Sequence, residues 1–292
     1  MLTGRRLVFI GGDARQLEVI AQTTELDASA MLIGFEELNR RFTDTALVPL
    51  SPEVFAEADA LVLPVAGMDD DGRVDTQFSS DGHVFLAEEH FAAMREGAFV
   101  FTGIARSRLE TFTEKYKLNL VKLMELDEVA ILNSIPTAEG AIALAMEHTD
   151  ITIHGARTLV LGFGRCGITL ARTLGALGAQ VRVAARQPAD LARIREMGMT
   201  PVPLQRLASE VGDVDMVFNT VPALILTASV LSRMSKDCVI IDIASKPGGT
   251  DFRYAERRGM TALLAPSLPG LVAPKTAGRI IADSITRILA QT

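Results

Sequence analysis

"LVLGFGRCGITLARTLGALGAQVRVAARQP", Leu159 to Pro188, is the stretch that decides the fold. An apolar run leads into Gly162, Gly164 and Gly167. A helical pattern follows, and a second apolar run, "QVRVAARQ", closes the unit. A lone G-x-G-x-x-G carries little weight, because glycine is common. Here it follows a buried-strand pattern and opens an amphipathic helix, the context a dinucleotide site requires. Gly162 permits the tight turn, Gly164 lets backbone approach a pyrophosphate, and Gly167 lets helix and strand pack closely. Phosphates then meet the free N–H groups and positive dipole end of the helix. Phe163, Arg165 and Cys166 complete the loop. Arg165 is placed to reach the phosphates, and Cys166 reads as a small residue at the helix start.

The end of the second run selects the cofactor. A fold of this kind that binds NAD usually places Asp or Glu there, on the ribose 2′-hydroxyl. This chain has Ala185 and then Arg186. Loss of the acid removes repulsion of a 2′-phosphate, and Arg186 offers it a planar set of donors. NADP is therefore expected over NAD.

The rest of the chain repeats the pattern. Strands are expected at Leu7–Gly11, Ala30–Gly34, Ala60–Pro64 and Ala98–Thr102, with a weaker one near Leu120–Leu123. Helices are expected at Ala14–Glu25, Ala87–Arg95 and Arg106–Tyr116. The polar stretch "GMDDDGRVDTQFSSDGH" reads as an exposed loop or hairpin, its acids solvated. In the second half strands are expected at Thr158–Gly162, Gln180–Ala185, Thr200–Pro203, Met216–Thr220, Cys238–Ile243 and Met260–Ala265. Strand–helix alternation of this kind implies parallel α/β units. The expected fold is α/β with two lobes: an N-terminal flavodoxin- or Rossmann-like parallel sheet and a C-terminal Rossmann dinucleotide-binding domain, joined by crossing helices. The boundary is expected between residues 1–134 and 135–292, with a helix beginning at Pro136 as the bridge. A terminal helix over 275–292 is expected to return to the first domain.

Length and composition agree. A chain of 292 residues is comfortable for two domains. No apolar run near 20 residues is read, so no membrane span is expected. "RLVFIGGDARQ" reads as a first strand and its turn rather than a signal peptide. The net charge of −7 argues against nucleic acid. Cys166 and Cys238 read as free thiols, and no Cys/His spacing suggests a metal.

Ligands of parallel sheets bind at the carboxyl ends of the strands. "FNTVPA" puts Asn219, Thr220, Val221 and Pro222 at such a tip, where the cofactor ribose is expected. "IASKPGGTDF" puts Ser245 and Lys246 at the next. In the first lobe "GGDARQ" places Asp13 and Arg15 at a strand tip. Arg15 is a candidate for a substrate carboxylate, since it can hold both oxygens. Ser134 and Thr137 of "NSIPTAEG", with Lys246, are candidate hydrogen-bond donors to the same substrate. Lys275, Lys246 and Asp13 are candidate acids or bases.

Taken together, "GGDARQ", "NSIPTAEGAI", "LGFGRCGITLARTLGALGAQVRVAARQ", "DIASKPGGTDF" and "LLAPSLPGLVAPKTAGRI" give the chain a resemblance to the dipicolinate synthase A-subunit family of Bacillus-type spore formers. The resemblance covers nearly the whole chain, and the two C-terminal motifs are more specific than the glycine fingerprint. It implies an NADP-using, two-domain oxidoreductase that converts a dihydrodipicolinate-type lysine-pathway intermediate into pyridine-2,6-dicarboxylate during sporulation. It also implies a flavoprotein-like partner, the B-subunit of dipicolinate synthase, and a cytoplasmic location in the mother cell. A homo-oligomer is expected. Two alternatives stand beside it. One is a 2-hydroxy- or amino-acid dehydrogenase, against which the lack of a histidine at a strand tip counts. The other is a non-catalytic NADP-binding partner of a separate catalytic subunit.

Overall fold

The computed structural model describes residues 1–291. Two units emerge: Met1–Leu132 together with the chain from Pro274 onward, and Asn133–Ala273. In the first unit the strands are β1 (Arg6–Ile10), β2 (Ser29–Ile33), β3 (Thr45–Leu47), β4 (Ala60–Val62), β5 (Arg73–Asp75), β6 (His83–Phe85), β7 (Phe99–Thr102) and β8 (Asn119–Lys122). Its helices are α1 (Ala14–Glu25), α2 (Pro52–Ala56), α3 (Glu88–Ala93) and α4 (Ser107–Lys115), and α5 (Asp127–Glu147) runs on into the second unit. The second unit holds β9 (Arg157–Leu161), α6 (Arg165–Ala176), β10 (Gln180–Ala185), α7 (Pro188–Glu196), β11 (Thr200–Pro203), α8 (Leu207–Glu210) and β12 (Met216–Asn219). It continues with α9 (Ala228–Leu231), β13 (Val239–Asp242), α10 (Phe252–Arg257), β14 (Ala262–Leu264) and α11 (Leu268–Val272). The last helix, α12 (Pro274–Ala290), belongs to the first unit.

Each unit is built on a six-stranded parallel sheet. The orders are β3-β2-β1-β4-β7-β8 and β11-β10-β9-β12-β13-β14. The second is the doubly wound order in which strand direction of travel reverses beside the first strand, here between β9 and β12. Sheets of this type are covered on both faces, so their strands read as continuous apolar runs. Leu159, Val160 and Leu161 are fully buried in β9, as are Leu7 to Ile10 in β1. One face of the second sheet packs against α5, α6 and α7 through Ala141, Leu170 and Ile194. The other packs against α8, α9 and α10 through Leu207, Leu231 and Ala255.

In the first unit α1 and α12 cover one face of the sheet with Val19, Ile20, Ile281 and Ile285. Phe55, Phe91 and Phe112, from α2, α3 and α4, cover the other. The polar stretch forms the β5–β6 hairpin, which lies over the carboxyl edge of β1 and β2. Gly12 N–H donates to the Asp75 carbonyl, and Thr76 Oγ1 donates to the Gly34 carbonyl.

The bridge helix differs from the sequence expectation. It begins at Asp127, and Pro136 lies inside it. Pro136 has no N–H to offer the carbonyl four residues back. Asp127 and Glu128 in the first turn favour the earlier start, through the helix dipole. By length and composition α5 is apolar enough to cross a membrane, with a mean hydropathy of 1.4 over its window. Half of that window is buried, and Ala138, Ala141, Ile142 and Ala145 lie in the core of the second unit.

The α1–α12 contact depends on Gly278. A Cβ there would stand 2.5 Å from the Arg15 carbonyl oxygen and 2.8 Å from Glu18 Cβ. Gly278→Val is expected to lower unfolding free energy by about 1–3 kcal/mol, the range for overpacking a close contact. Urea unfolding of the full chain followed by circular dichroism measures it. An unchanged midpoint would show that α12 does not need this approach.

Candidate dinucleotide site

The second unit assembles its candidate site at the carboxyl edge of β9, β10, β12 and β13. Gly162 sits at φ +97°, a conformation other residues rarely adopt. A Cβ there would also run into Thr220 Oγ1 and the Val221 side chain. At Gly167 a Cβ would strike the Gly162 carbonyl oxygen, so only glycine lets α6 start this close to β9. Gly164 is different. It is the exposed N-cap of α6, and a Cβ on it would meet nothing within 4 Å. No side chain caps α6. Its first-turn N–H groups have no partner within the helix. Phe163 packs part-buried against the core, and Arg165 is exposed on the first turn.

Burial raises the Cys166 thiol above its ordinary range, with the neighbouring Arg165 opposing weakly. Cys238 is pushed up to about 12 by burial and by Asp215. Both are protonated at neutral pH, which removes them as nucleophiles.

Arg186 follows β10 directly and is exposed. The Gly162 N–H donates to the Ala184 carbonyl over 3.0 Å, which ties the glycine turn to this strand tip. Among the described residues Arg186 has no ion pair or hydrogen bond. Ala185 is buried where an acid would have stood.

The next two tips form a buried polar node that sequence reading missed in part. Thr220 Oγ1 donates to the Leu161 carbonyl at 2.8 Å, closing the end of β9. Asn219 is fully buried, and its amide is committed within the protein. Its Nδ2 donates to the Val221 carbonyl and to Asp242 Oδ1, and its Oδ1 accepts from Val221 N–H. Through these bonds Asn219 shapes the turn that Val221 and Pro222 occupy. Asp242, at the end of β13, was read only as part of a strand. An acid inside the buried run "VIIDIA" was the available signal. Ser245 and Lys246 lie on the turn beyond it, and both are exposed.

In the first unit Asp13 caps α1, accepting from Arg15 N–H at 3.0 Å. The Arg15 guanidinium returns to the same carboxylate, Nε at 2.9 Å and a terminal nitrogen at 2.5 Å. Two residues at i and i+2 of a helix start thus satisfy each other. Burial pushes the Asp13 carboxyl up, but the hydrogen bonds and charge of Arg15 outweigh it, and the carboxyl lies below its ordinary range. The pair is thus engaged within the protein. Asp13 is an ionised cap rather than a proton donor, and Arg15 has its charge matched within the protein.

Ser134 and Thr137 are likewise engaged within the protein. Ser134 is fully buried on α5, 2.6 Å from Thr169 Oγ1 of α6, and Thr137 Oγ1 donates to the Asn133 carbonyl. Lys275 lies in the first turn of α12. Among the described residues no cluster of His, Cys, Asp or Glu could hold a metal ion.

Comparison with known proteins is specific. Residues 6–124 match the family of the dipicolinate synthase A-subunit N-terminal domain, and residues 137–263 match the alanine dehydrogenase/PNT C-terminal domain. The curated dipicolinate synthase A-subunit of Bacillus subtilis is 48% identical over 291 residues, 100% of this chain and 98% of that protein. The chain belongs to the dipicolinate synthase A-subunit family. The crystal structure of the dipicolinate synthase A-subunit from Bacillus halodurans superposes with a TM-score of 0.96 at 50% identity, covering 99% of both chains. The transhydrogenase of Sinorhizobium meliloti, at 15% identity and a TM-score of 0.66 over 98% of this chain and 94% of its own, shares the fold alone. The family and the C-terminal match give a nicotinamide dinucleotide-binding fold of the dehydrogenase type.

The Asp13 cap carries a pH dependence. Its folded pKa is depressed below 3.8, so its contribution to stability is present above the unfolded pKa and lost as pH falls through the folded one. Asp13→Asn is expected to cost about 1 kcal/mol near neutrality, within the range for caps and charge-assisted bonds. The difference from the unmodified chain should hold above about pH 4 and close below it. Urea unfolding at a series of pH values tests this. A gap that widens on acidification would refute it.

Proposed function

We propose that this chain is the NADP-dependent oxidoreductase component of a dipicolinate synthase, oxidising a dihydropyridine-2,6-dicarboxylate to pyridine-2,6-dicarboxylate. The observation that carries it is the edge of the second sheet. An α6 start with no side-chain cap, an open Gly164 and an exposed Arg186 support the binding of a phosphorylated dinucleotide at this edge. NADP fits these residues, and NAD would find no acid at the tip of β10 for its ribose.

The α6 N–H groups and Gly164 would hold the pyrophosphate, and Arg186 the 2′-phosphate. When bound, NADP supplies a two-electron acceptor that takes a hydride while the substrate releases one proton. The residues around it position rather than ionise. Thr220 and Val221 wall the glycine turn. Asn219 fixes that wall from beneath. An oxidation that ends in an aromatic product is downhill, so orientation and carboxylate binding are the main demands on the protein. Lys246, an exposed ammonium group on the turn after β13, is assigned to a substrate carboxylate in place of Arg15. The relatives are named as one subunit of a synthase, which supports a second subunit as partner.

The cofactor assignment is testable by titration. Arg186→Ala is expected to weaken NADP by about 1.5–3 kcal/mol, the range for a hydrogen bond to a charged group, and to leave NAD affinity unchanged. Calorimetry with both nucleotides measures this. Equal loss for both, or tighter binding of NAD by the unmodified chain, would overturn the NADP assignment.

A further inference from the structure

Asp242 is the one fully buried acid at the candidate site, and nothing above uses its charge. It accepts from Asn219 Nδ2 at 2.9 Å, Ala244 N–H at 3.2 Å, Gly249 N–H at 2.8 Å and Thr250 Oγ1 at 2.6 Å. The amide and the backbone N–H groups can only donate, so the group facing them is an acceptor on both oxygens, which a carboxylate is. Hydrogen bonds to the charged form are what make a buried carboxylate tolerable. Among the described residues no cation pairs with it, unlike Asp13 with Arg15 or Asp215 with Arg157.

The four donors come from two turns, one after β12 and one after β13. Asn219 belongs to the β12 tip, whose Thr220 and Val221 press on Gly162. Gly249 and Thr250 end the turn that carries Ser245 and Lys246. Gly249 is wedged against that first turn. A Cβ there would lie 2.5 Å from the Ala223 carbonyl oxygen and 2.6 Å from Asn219 Nδ2. Its own carbonyl accepts from Ile225 and Leu226 N–H. One carboxylate thus sets both turns relative to the glycine loop.

The sheet order says which part of a dinucleotide these turns meet. β10, with Arg186, lies on one side of β9, and β12 and β13 lie on the other. A dinucleotide lies across the crevice between the halves, so with its 2′-phosphate at β10 its nicotinamide falls toward β12 and β13. The ring is cationic when oxidised and neutral when reduced.

We infer that Asp242 is a positioning residue that sets these two turns for the nicotinamide half of NADP and, as a buried anion with no counter-cation, favours the oxidised ring over the reduced one. The inference rests on the NADP reading above. A buried charge is little screened, so its preference for the cationic ring survives at ordinary salt.

The test is titration of the full chain with NADP⁺ and NADPH separately, by calorimetry. The unmodified chain is expected to bind NADP⁺ more tightly. Asp242→Asn removes the charge at nearly the same size. Its amide group turns one donor against the N–H groups around it, which weakens both nucleotides, while the loss of charge should move the ratio of the two Kd values about threefold or more toward NADPH. Asn219→Ala keeps the charge and loosens the turn, and should weaken both nucleotides alike with the ratio unchanged. A ratio unmoved in Asp242→Asn, or moved equally by Asn219→Ala, overturns the inference and leaves the NADP reading standing. If Asp242→Asn does not fold, the unmodified chain decides, since NADPH binding as tightly as NADP⁺ would overturn the inference. Failure of the unmodified chain to bind either nucleotide overturns the NADP reading and the inference with it.

Discussion

The approach of α6 to β9, with Gly167 against the Gly162 carbonyl, is the constraint on which the second unit depends. Because neither position carries a Cβ, the helix starts directly beyond the strand. Its uncapped N–H groups then point over the carboxyl edge of the sheet. Every other part of the candidate site takes its place from that start. Thr220 and Val221 fit the space left beside Gly162. Ala184 receives the Gly162 N–H and fixes where β10 ends, and so where Arg186 emerges. A methyl group at Gly167 would separate helix from strand and move all three.

The two units handle their strand tips in contrasting ways. In the first, acid and base at the start of α1 neutralise each other, and the β5–β6 hairpin lies across the edge of β1 and β2. In the second, Arg186 and Lys246 at the edge are exposed, and the one buried acid is matched by donors rather than by a cation. Matched groups hold structure, and unmatched ones are available to a ligand. That difference favours the second unit for the dinucleotide on physical grounds, independent of family membership.

Much of this was legible in the sequence because the deciding signals are local. β1, β9, β10 and β12 are buried runs ending at a turn or polar tip, and the glycine spacing names its own geometry. The unread parts are those set by tertiary contact. β3 is three residues at an exposed sheet edge, with no alternation to recognise. Pro136 looked like a helix start, and only packing on the core shows that α5 runs through it. Asp13, Arg15, Ser134, Thr137 and Asn219 were correctly seen as polar groups near strand tips or the bridge. Their partners could not be seen, and partners decide whether a polar group serves the fold or a ligand. Asp242 was hidden for the same reason, since a single acid in an apolar strand says nothing about which donors surround it.

The redox step proposed for this chain uses NADP as its oxidant. It is tested most directly by mixing the full chain with freshly prepared dihydropyridine-2,6-dicarboxylate and NADP, with and without the second subunit. NADPH and pyridine dicarboxylate absorbance are followed together. The two should rise in equal amounts, and only when NADP and this chain are both present. Pyridine dicarboxylate formed without NADPH, or neither formed with both subunits present, would contradict the account.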